Sequence, residues 1–295
     1  MSANKSYRAG TIKRSRRTNT QIEQLDQQII EVLVEDHPQS VRHVFYRMTD
    51  PRLPEPVGKS DAGYRHVQDR CVKLRRSGRV PYAWIADMSR RGYFTNTFSS
   101  AGDFISRMAG LYRADLWELA DYCCEVWCES RSIASVLQKD CEELAVDLYP
   151  CGGFSSLSFV HEAAEQRNGT GETRPLVVFY VGDYDPAGVL IDVSLKKELR
   201  LHLHGDIDLQ FDRIGINEDQ IIEYDLPTKP RKAGDTRSQQ VAATVEAEAM
   251  QASILRGLLR DKIEVLLPEG ALAAAKVAEK SERAGLLALA GVRDA

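Results

Sequence analysis

Asp183-Tyr184-Asp185-Pro186 follows the most continuous apolar run of the chain, Leu176-Val177-Val178-Phe179-Tyr180-Val181. Residues i and i+2 of an extended segment point the same way, so the spacing predicts two carboxylates side by side just past a buried strand. A third acid, Glu129, closes Cys124-Glu125-Val126-Trp127-Cys128, a second predicted strand. Open α/β sheets bind ligands outside the carboxyl ends of their strands. With those two strands as neighbours, Glu129, Asp183 and Asp185 converge. Like charges that close raise one another's pKa unless a cation neutralises them. Carboxylate donors without His or Cys suit a hard cation, Mg²⁺ or Mn²⁺. Magnesium held by one or two carboxylates and several waters commonly also takes a substrate phosphate, so the pattern points to phosphoryl-transfer chemistry. The same Asp-x-Asp-Pro-x-Gly stretch also suits a helix N-cap and turn, and both readings stand.

The elements that must position these acids alternate between strand and helix. A strand near 124–128 is followed by a helix from Ser130, a strand over 146–149, a helix over 155–166, the strand 176–181, a helix from Pro186 and a strand over 208–214. Such alternation predicts a parallel α/β sheet. Proline suits the first helical turn, which favours a helix start at Pro186. Upstream the texture is helical: a helix from Ile22 to about His37, a short one capped by Ser40, and a third over 60–76. Val80-Pro81-Tyr82-Ala83-Trp84-Ile85-Ala86 reads as a strand. Three helices and a strand have the layout of a winged helix-turn-helix, whose third helix enters the major groove. That third helix turns Tyr64, Val67, Cys71 and Leu74 to one side and Arg65, Arg70, Lys73, Arg75 and Arg76 to the other. The basic side suits DNA phosphates or a solvated surface. The expected organisation is a basic arm over 1–20, a winged-helix unit over 21–95, a connector over 96–120, the α/β metal-binding domain over 121–230 and a helical segment over 231–295. Helices near 237–265 and 269–290 favour an exposed face for Glu246 and Glu248, although either could add a carboxylate to the site.

Composition narrows the function classes. The chain has 295 residues, 43% hydrophobic and 28% charged, which fits ordinary globular domains and excludes disordered or collagenous ones. The net charge of −4 hides an asymmetry. Residues 1–92 carry 18 Lys and Arg against 10 Asp and Glu, and the remainder 21 against 33. A basic first third on an acidic chain points to a polyanionic partner. The six cysteines form no CxxC pair, which argues against a structural zinc site and suits buried thiols in the cytoplasm. No run reaches the ~18 apolar residues of a membrane span. The polar, basic N-terminus has no signal-peptide core.

Val126-Trp127-Cys128-Glu129 and Val181-Gly182-Asp183-Tyr184-Asp185-Pro186-Ala187-Gly188 resemble the two halves of a Toprim domain. The Asp-x-Asp-Pro-x-Gly form most resembles the A subunit of type IIB topoisomerases (topoisomerase VI) and its meiotic double-strand-break relative. In that family a winged helix precedes the Toprim domain and carries a catalytic tyrosine in an Arg-x-x-x-Tyr context. Arg42-His43-Val44-Phe45-Tyr46 matches it. The resemblance spans residues 25–230 and suggests a compact bacterial or phage branch. It implies Tyr46 as the nucleophile on DNA, giving a 5′-phosphotyrosyl link. Arg42 would supply positive charge at the phosphate, and Glu129, Asp183 and Asp185 would hold Mg²⁺. Glu129 would also hand a proton to the 3′-oxygen on religation. It further implies double-stranded DNA as partner, a homodimer in which tyrosine and metal come from two protomers, and a separate ATPase subunit. Two alternatives stand beside it. One is a Toprim nuclease that activates water, with Tyr46 a core aromatic beside Phe45. The other is a DNA-binding protein with a vestigial site.

Overall fold

The computed structural model describes residues 17–86, 95–152, 157–230, 241 and 243–291. The basic arm falls outside them up to residue 16. Arg17 is described, and it pairs with Glu55 at 3.2 Å. Three helices follow, α1 (Asn19–Glu35), α2 (Val41–Met48) and α3 (Asp61–Arg76). Each begins on a side-chain hydroxyl that accepts an otherwise unpaired backbone N–H: Thr18 from Gln21, Ser40 from His43 and Ser60 from Gly63. Their apolar stripes, led by Leu25, Ile29, Leu33, Val44, Met48, Val67 and Leu74, close on one core.

The segment expected as a strand over 80–86 is instead a 3₁₀ turn, Tyr82–Trp84, ending in a single parallel bridge between Gln39 and Ile85. Gln39 sits in the short link between α1 and α2, so among the described residues Ile85 pairs with one residue and no strand. Among the described residues the helical unit therefore shows three helices and a bridge, and residues 87–94 lie outside the description.

A buried ion pair fixes α3 against α1. Asp26, 1% exposed, accepts from Arg70 Nε at 2.6 Å and from Arg70 Nη2. Removing one partner of a buried pair strands the other charge, at about 3–5 kcal/mol. Asp26→Asn is expected to lower the unfolding free energy by that amount, read as a lower denaturant midpoint with an unchanged slope. An unshifted midpoint would show that the pair does not hold these helices together.

The connector contains α4 (Ala101–Ala109). Beyond it comes the alternation β1 (Cys123–Cys128), α5 (Arg131–Glu143), β2 (Asp147–Pro150), α6 (Leu157–Gly169), β3 (Leu176–Val181), α7 (Gly188–His202) and β4 (Leu209–Gly215). The four strands are all parallel, in the order β2-β1-β3-β4. The fold is α/β, as expected. Every residue of β1 and β3 is buried, because helices cover both faces of a parallel sheet. The period of two sorts their side chains. Cys124, Val126, Cys128, Val177, Phe179 and Val181 pack into one layer, and Cys123, Trp127, Leu176, Val178 and Tyr180 into the other. The six cysteines are free thiols, five of them buried. Among the described residues, no helix is long and apolar enough to cross a membrane.

After α8 (Glu218–Glu223) the chain departs from expectation. Residues 237–265 do not form one helix. A short antiparallel pair, β5 (Lys229–Pro230) and β6 (Ala243–Thr244), leads to an extended bridge between Val245 and Tyr184 and a 3₁₀ turn, Ala247–Ala249. Only then do α9 (Ala252–Glu264) and α10 (Ala271–Leu289) begin. Two backbone bonds with Tyr184, at 2.8 and 2.9 Å, hold Val245 extended against the helical preference of Glu-Ala-Glu-Ala. α9 also ties the two units together, since Asp36 accepts from Ser253 N at 2.9 Å and pairs with Arg256.

Candidate active site

The strand order reverses direction between β1 and β3, and the crevice at such a switch point is where open α/β sheets place their ligands. Cys128 pairs with Val181, so Glu129 and Asp183 leave adjacent strand ends together. Glu129 Oε2 accepts from Asp183 N at 2.9 Å. Asp183 Oδ1 accepts from Ala247 N at 2.8 Å.

Asp185 behaves differently from the expected parallel projection. Its Oδ1 accepts from Ala187 N at 2.8 Å and Gly188 N at 2.6 Å, so it caps the start of α7. Pro186 and Ala187 therefore form the turn, and α7 opens at Gly188. The glycine of the motif has a steric cause. A Cβ on Gly188 would lie 2.1 Å from the Asp183 carbonyl oxygen. Asp185 thus takes the cap of the motif, and Asp183 sits in the crevice.

Arg213 of β4 braces this loop, a role the sequence reading missed. A guanidinium has five N–H donors, and here each has an acceptor. Nε donates to Ile216 O, Nη1 to Gly188 O and Asp192 Oδ2, and Nη2 to Gly182 O and Asp183 O. The available signal was an arginine inside a strand, between Phe211 and Ile214. Lysine has fewer donors and cannot span these acceptors. Arg213→Lys is expected to cost about 2–4 kcal/mol in chemical denaturation, through several buried carbonyls left unpaired. Equal stability would remove the brace from the account.

The carboxylates carry the electrostatic signature of a charge cluster. Burial first, then Glu129, pushes Asp183 up to about 8. Burial also raises Glu129, with Asp185 and Glu248 adding to it. Glu248, 6% exposed, is raised chiefly by burial. The expectation of an exposed face for Glu246 and Glu248 is therefore corrected. The 3₁₀ turn carries Glu248 inward beside Asp183, and Glu246 inward toward α2.

Glu246 joins this cluster to the tyrosine. Helical spacing puts Arg42 and Tyr46 on one face of α2. Glu246 receives Arg42 Nη1 at 2.5 Å and Lys229 Nζ at 2.7 Å, and its charge acts on the nearby Tyr46 hydroxyl. Burial opposes ionisation of Glu246, but the bonds from Lys229 and Arg42 outweigh it and hold its pKa below the usual range. Tyr46 is buried, with Lys59 Nζ 5.2 Å from its ring centroid. Burial, then Glu246, pushes its hydroxyl well above the usual phenol value. Tyrosine and carboxylates are thus linked within one chain through Glu246-Ala247-Glu248.

The basic helix divides. Arg65, Lys73 and Arg76 are exposed. Arg70 is held in the pair with Asp26, and Arg75 is half-buried with its guanidinium 5.2 Å from the Tyr82 ring centroid.

Among the described residues, no three His, Cys, Asp or Glu side chains are gathered as one metal ion would hold them. Glu129, Asp183 and Asp185 each engage one oxygen with a backbone N–H. The donor chemistry still suits magnesium, which needs only one or two carboxylates and keeps several waters. Glu129 and Asp183 fit that requirement, with Glu248 beside them. Comparisons with family models, curated proteins and solved structures found no match.

Proposed function

We propose that this chain is a divalent-cation-dependent DNA-cleaving enzyme of the topoisomerase VI A-subunit type. Tyr46 is its nucleophile, and Glu129 and Asp183 hold the cation. The observation that carries the reading is the meeting of two features in one chain. Carboxylates with raised pKa values occupy the switch-point crevice, and a tyrosine flanked by Arg42, Lys59 and Lys229 reaches them through Glu246.

In this mechanism the cation supplies Lewis-acid charge at the phosphate. Arg42 and Lys229 bind the phosphate oxygens by charge-assisted bonds. As they turn from Glu246 to the phosphate, Glu246 loses the partners that depress its pKa and becomes the acceptor for the Tyr46 proton. Tyr46 Oη then bonds to phosphorus, the P–O3′ bond breaks and the 3′-oxygen takes a proton from solvent. Exposed Arg65, Lys73 and Arg76 hold the duplex backbone, so affinity falls with salt. A homodimer and a separate ATPase subunit belong to this reading through the family resemblance alone.

A second reading has one observation in its favour. The Tyr46 hydroxyl is buried and held protonated, as a structural tyrosine would be. The chain would then be a nuclease that hydrolyses DNA with water. End-labelled DNA incubated with Mg²⁺ or Mn²⁺, then denatured with and without protease, separates the two. Label retained on protein and released by protease supports the transesterase. Free ends support hydrolysis.

A further inference from the structure

We propose that the cavity between α2, α3 and the start of α5 binds a phosphate monoester, carried by a free nucleotide or by the phosphorylated end of a nucleic-acid strand. The cavity has a volume of about 390 Å³ and is lined by three arginines, Arg42, Arg75 and Arg131, with no Asp or Glu among its described lining residues. The three do not share one state. Arg42 is paired with Glu246 and also lines a smaller cavity beside Lys59, Lys229 and Glu246. Arg75 makes no ion pair among the described residues, and its Nε is enclosed without a hydrogen-bond partner. A buried guanidinium N–H left without an acceptor costs free energy that a bound anion would recover. Arg131 is exposed and likewise has no carboxylate partner among the described residues.

Backbone dipoles add to this charge. Ser40 caps α2 and Ser130 caps α5, each accepting the third helical N–H. Those caps leave the amides of Val41, Arg42, Arg131 and Ser132 without helical acceptors, and all four residues line the cavity. Two helix starts each place partial positive charge at the cavity. Two guanidinium groups without carboxylate partners among the described residues, Arg75 and Arg131, with Arg42 and two helix starts beside them, match a dianionic monoester better than a singly charged diester. Tyr64 and Val72 complete the wall with apolar surface on which a base can rest. The inference stands apart from the cleavage reading, because it needs neither Tyr46 nor a metal.

Equilibrium dialysis of the full chain against labelled adenosine 5′-monophosphate, in EDTA, tests it. Saturable binding is expected, displaced by inorganic phosphate and not by adenosine. Arg131→Gln and Arg75→Gln should each weaken binding by roughly tenfold or more, the loss of a charge-assisted bond. Lys139→Gln removes the same charge from the exposed far end of α5 and should leave binding unchanged. Because Arg131 is exposed, its variant should keep the wild-type melting temperature, so a loss there is not unfolding. Short single strands then separate the sources. Displacement by a 5′-phosphorylated strand alone identifies a nucleic-acid end, and displacement by neither strand identifies a free nucleotide. No saturable binding, adenosine competing as well as its monophosphate, equal displacement by a 5′-hydroxyl strand, or undiminished binding in Arg131→Gln would each overturn the proposal.

Discussion

Tyr46→Phe is expected to abolish the protein-linked DNA end while leaving the fold intact. The ring stays packed beside Phe45 and under Lys59, and only Oη is lost. Loss of a nucleophile lowers turnover by on the order of 10³-fold or more. Glu246 keeps both Arg42 and Lys229 in this variant, so the cations remain placed for a phosphate. Glu246→Gln is the informative partner. The amide keeps the shape but not the charge, which frees Arg42 and Lys229 and removes the proton acceptor. DNA binding should tighten while covalent cleavage falls, and that opposite movement distinguishes a lost base from a damaged site. Labelled ends released free in both wild type and Tyr46→Phe would defeat the tyrosine mechanism and leave hydrolysis by water.

The parts of this site visible in the sequence are those written in short-range patterns. The run Leu176–Val181 reads as a strand because six apolar residues rich in valine and aromatics, between Pro175 and Gly182, suit a strand buried on both faces. Glu129 and Asp183 follow from it once β1 and β3 are neighbours. Long-range pairing was the part not written there. Asp185 has the composition of a ligand and of a cap, and only the position of the α7 amides decides between them. Glu246 and Glu248 lie in a sequence with strong helix preference, and the bridge from Tyr184 to Val245 overrides it. Arg70 looks like its neighbours on the basic side of α3, yet Asp26, 44 residues away, claims it. Val80–Ala86 has strand-forming residues but, among the described residues, pairs only through the Gln39–Ile85 bridge. In each case the local signal was sound and the partner that reassigns the residue lies far along the chain.

Asp183→Asn is expected to remove divalent-dependent cleavage and, in metal-free buffer at pH 8, to raise stability. The two effects have one cause. Asp183 rises from 3.8 to about 8 on folding, through burial and the charge of Glu129. A carboxyl whose pKa is raised in the folded state stabilises fully below the unfolded value, about pH 4, and that contribution is lost as pH rises through about 8. Between pH 5 and 8 the metal-free wild type should therefore lose on the order of 2–4 kcal/mol. Glu129 and Glu248 shift in the same direction and steepen the decline. The asparagine still accepts from Ala247 N through its amide oxygen but cannot ionise, so its stability should vary less over that range. Added Mg²⁺ should stabilise the wild type at pH 8, where Asp183 is about half ionised, far more than at pH 5, where it is protonated, and should stabilise Asp183→Asn much less. Melting temperatures across this pH range, with EDTA or with Mg²⁺, read all of these differences. A variant less stable than wild type at pH 8 in EDTA would mean that the carboxylate is a net stabiliser of the fold, and the case for a cation at this crevice would lose its electrostatic ground.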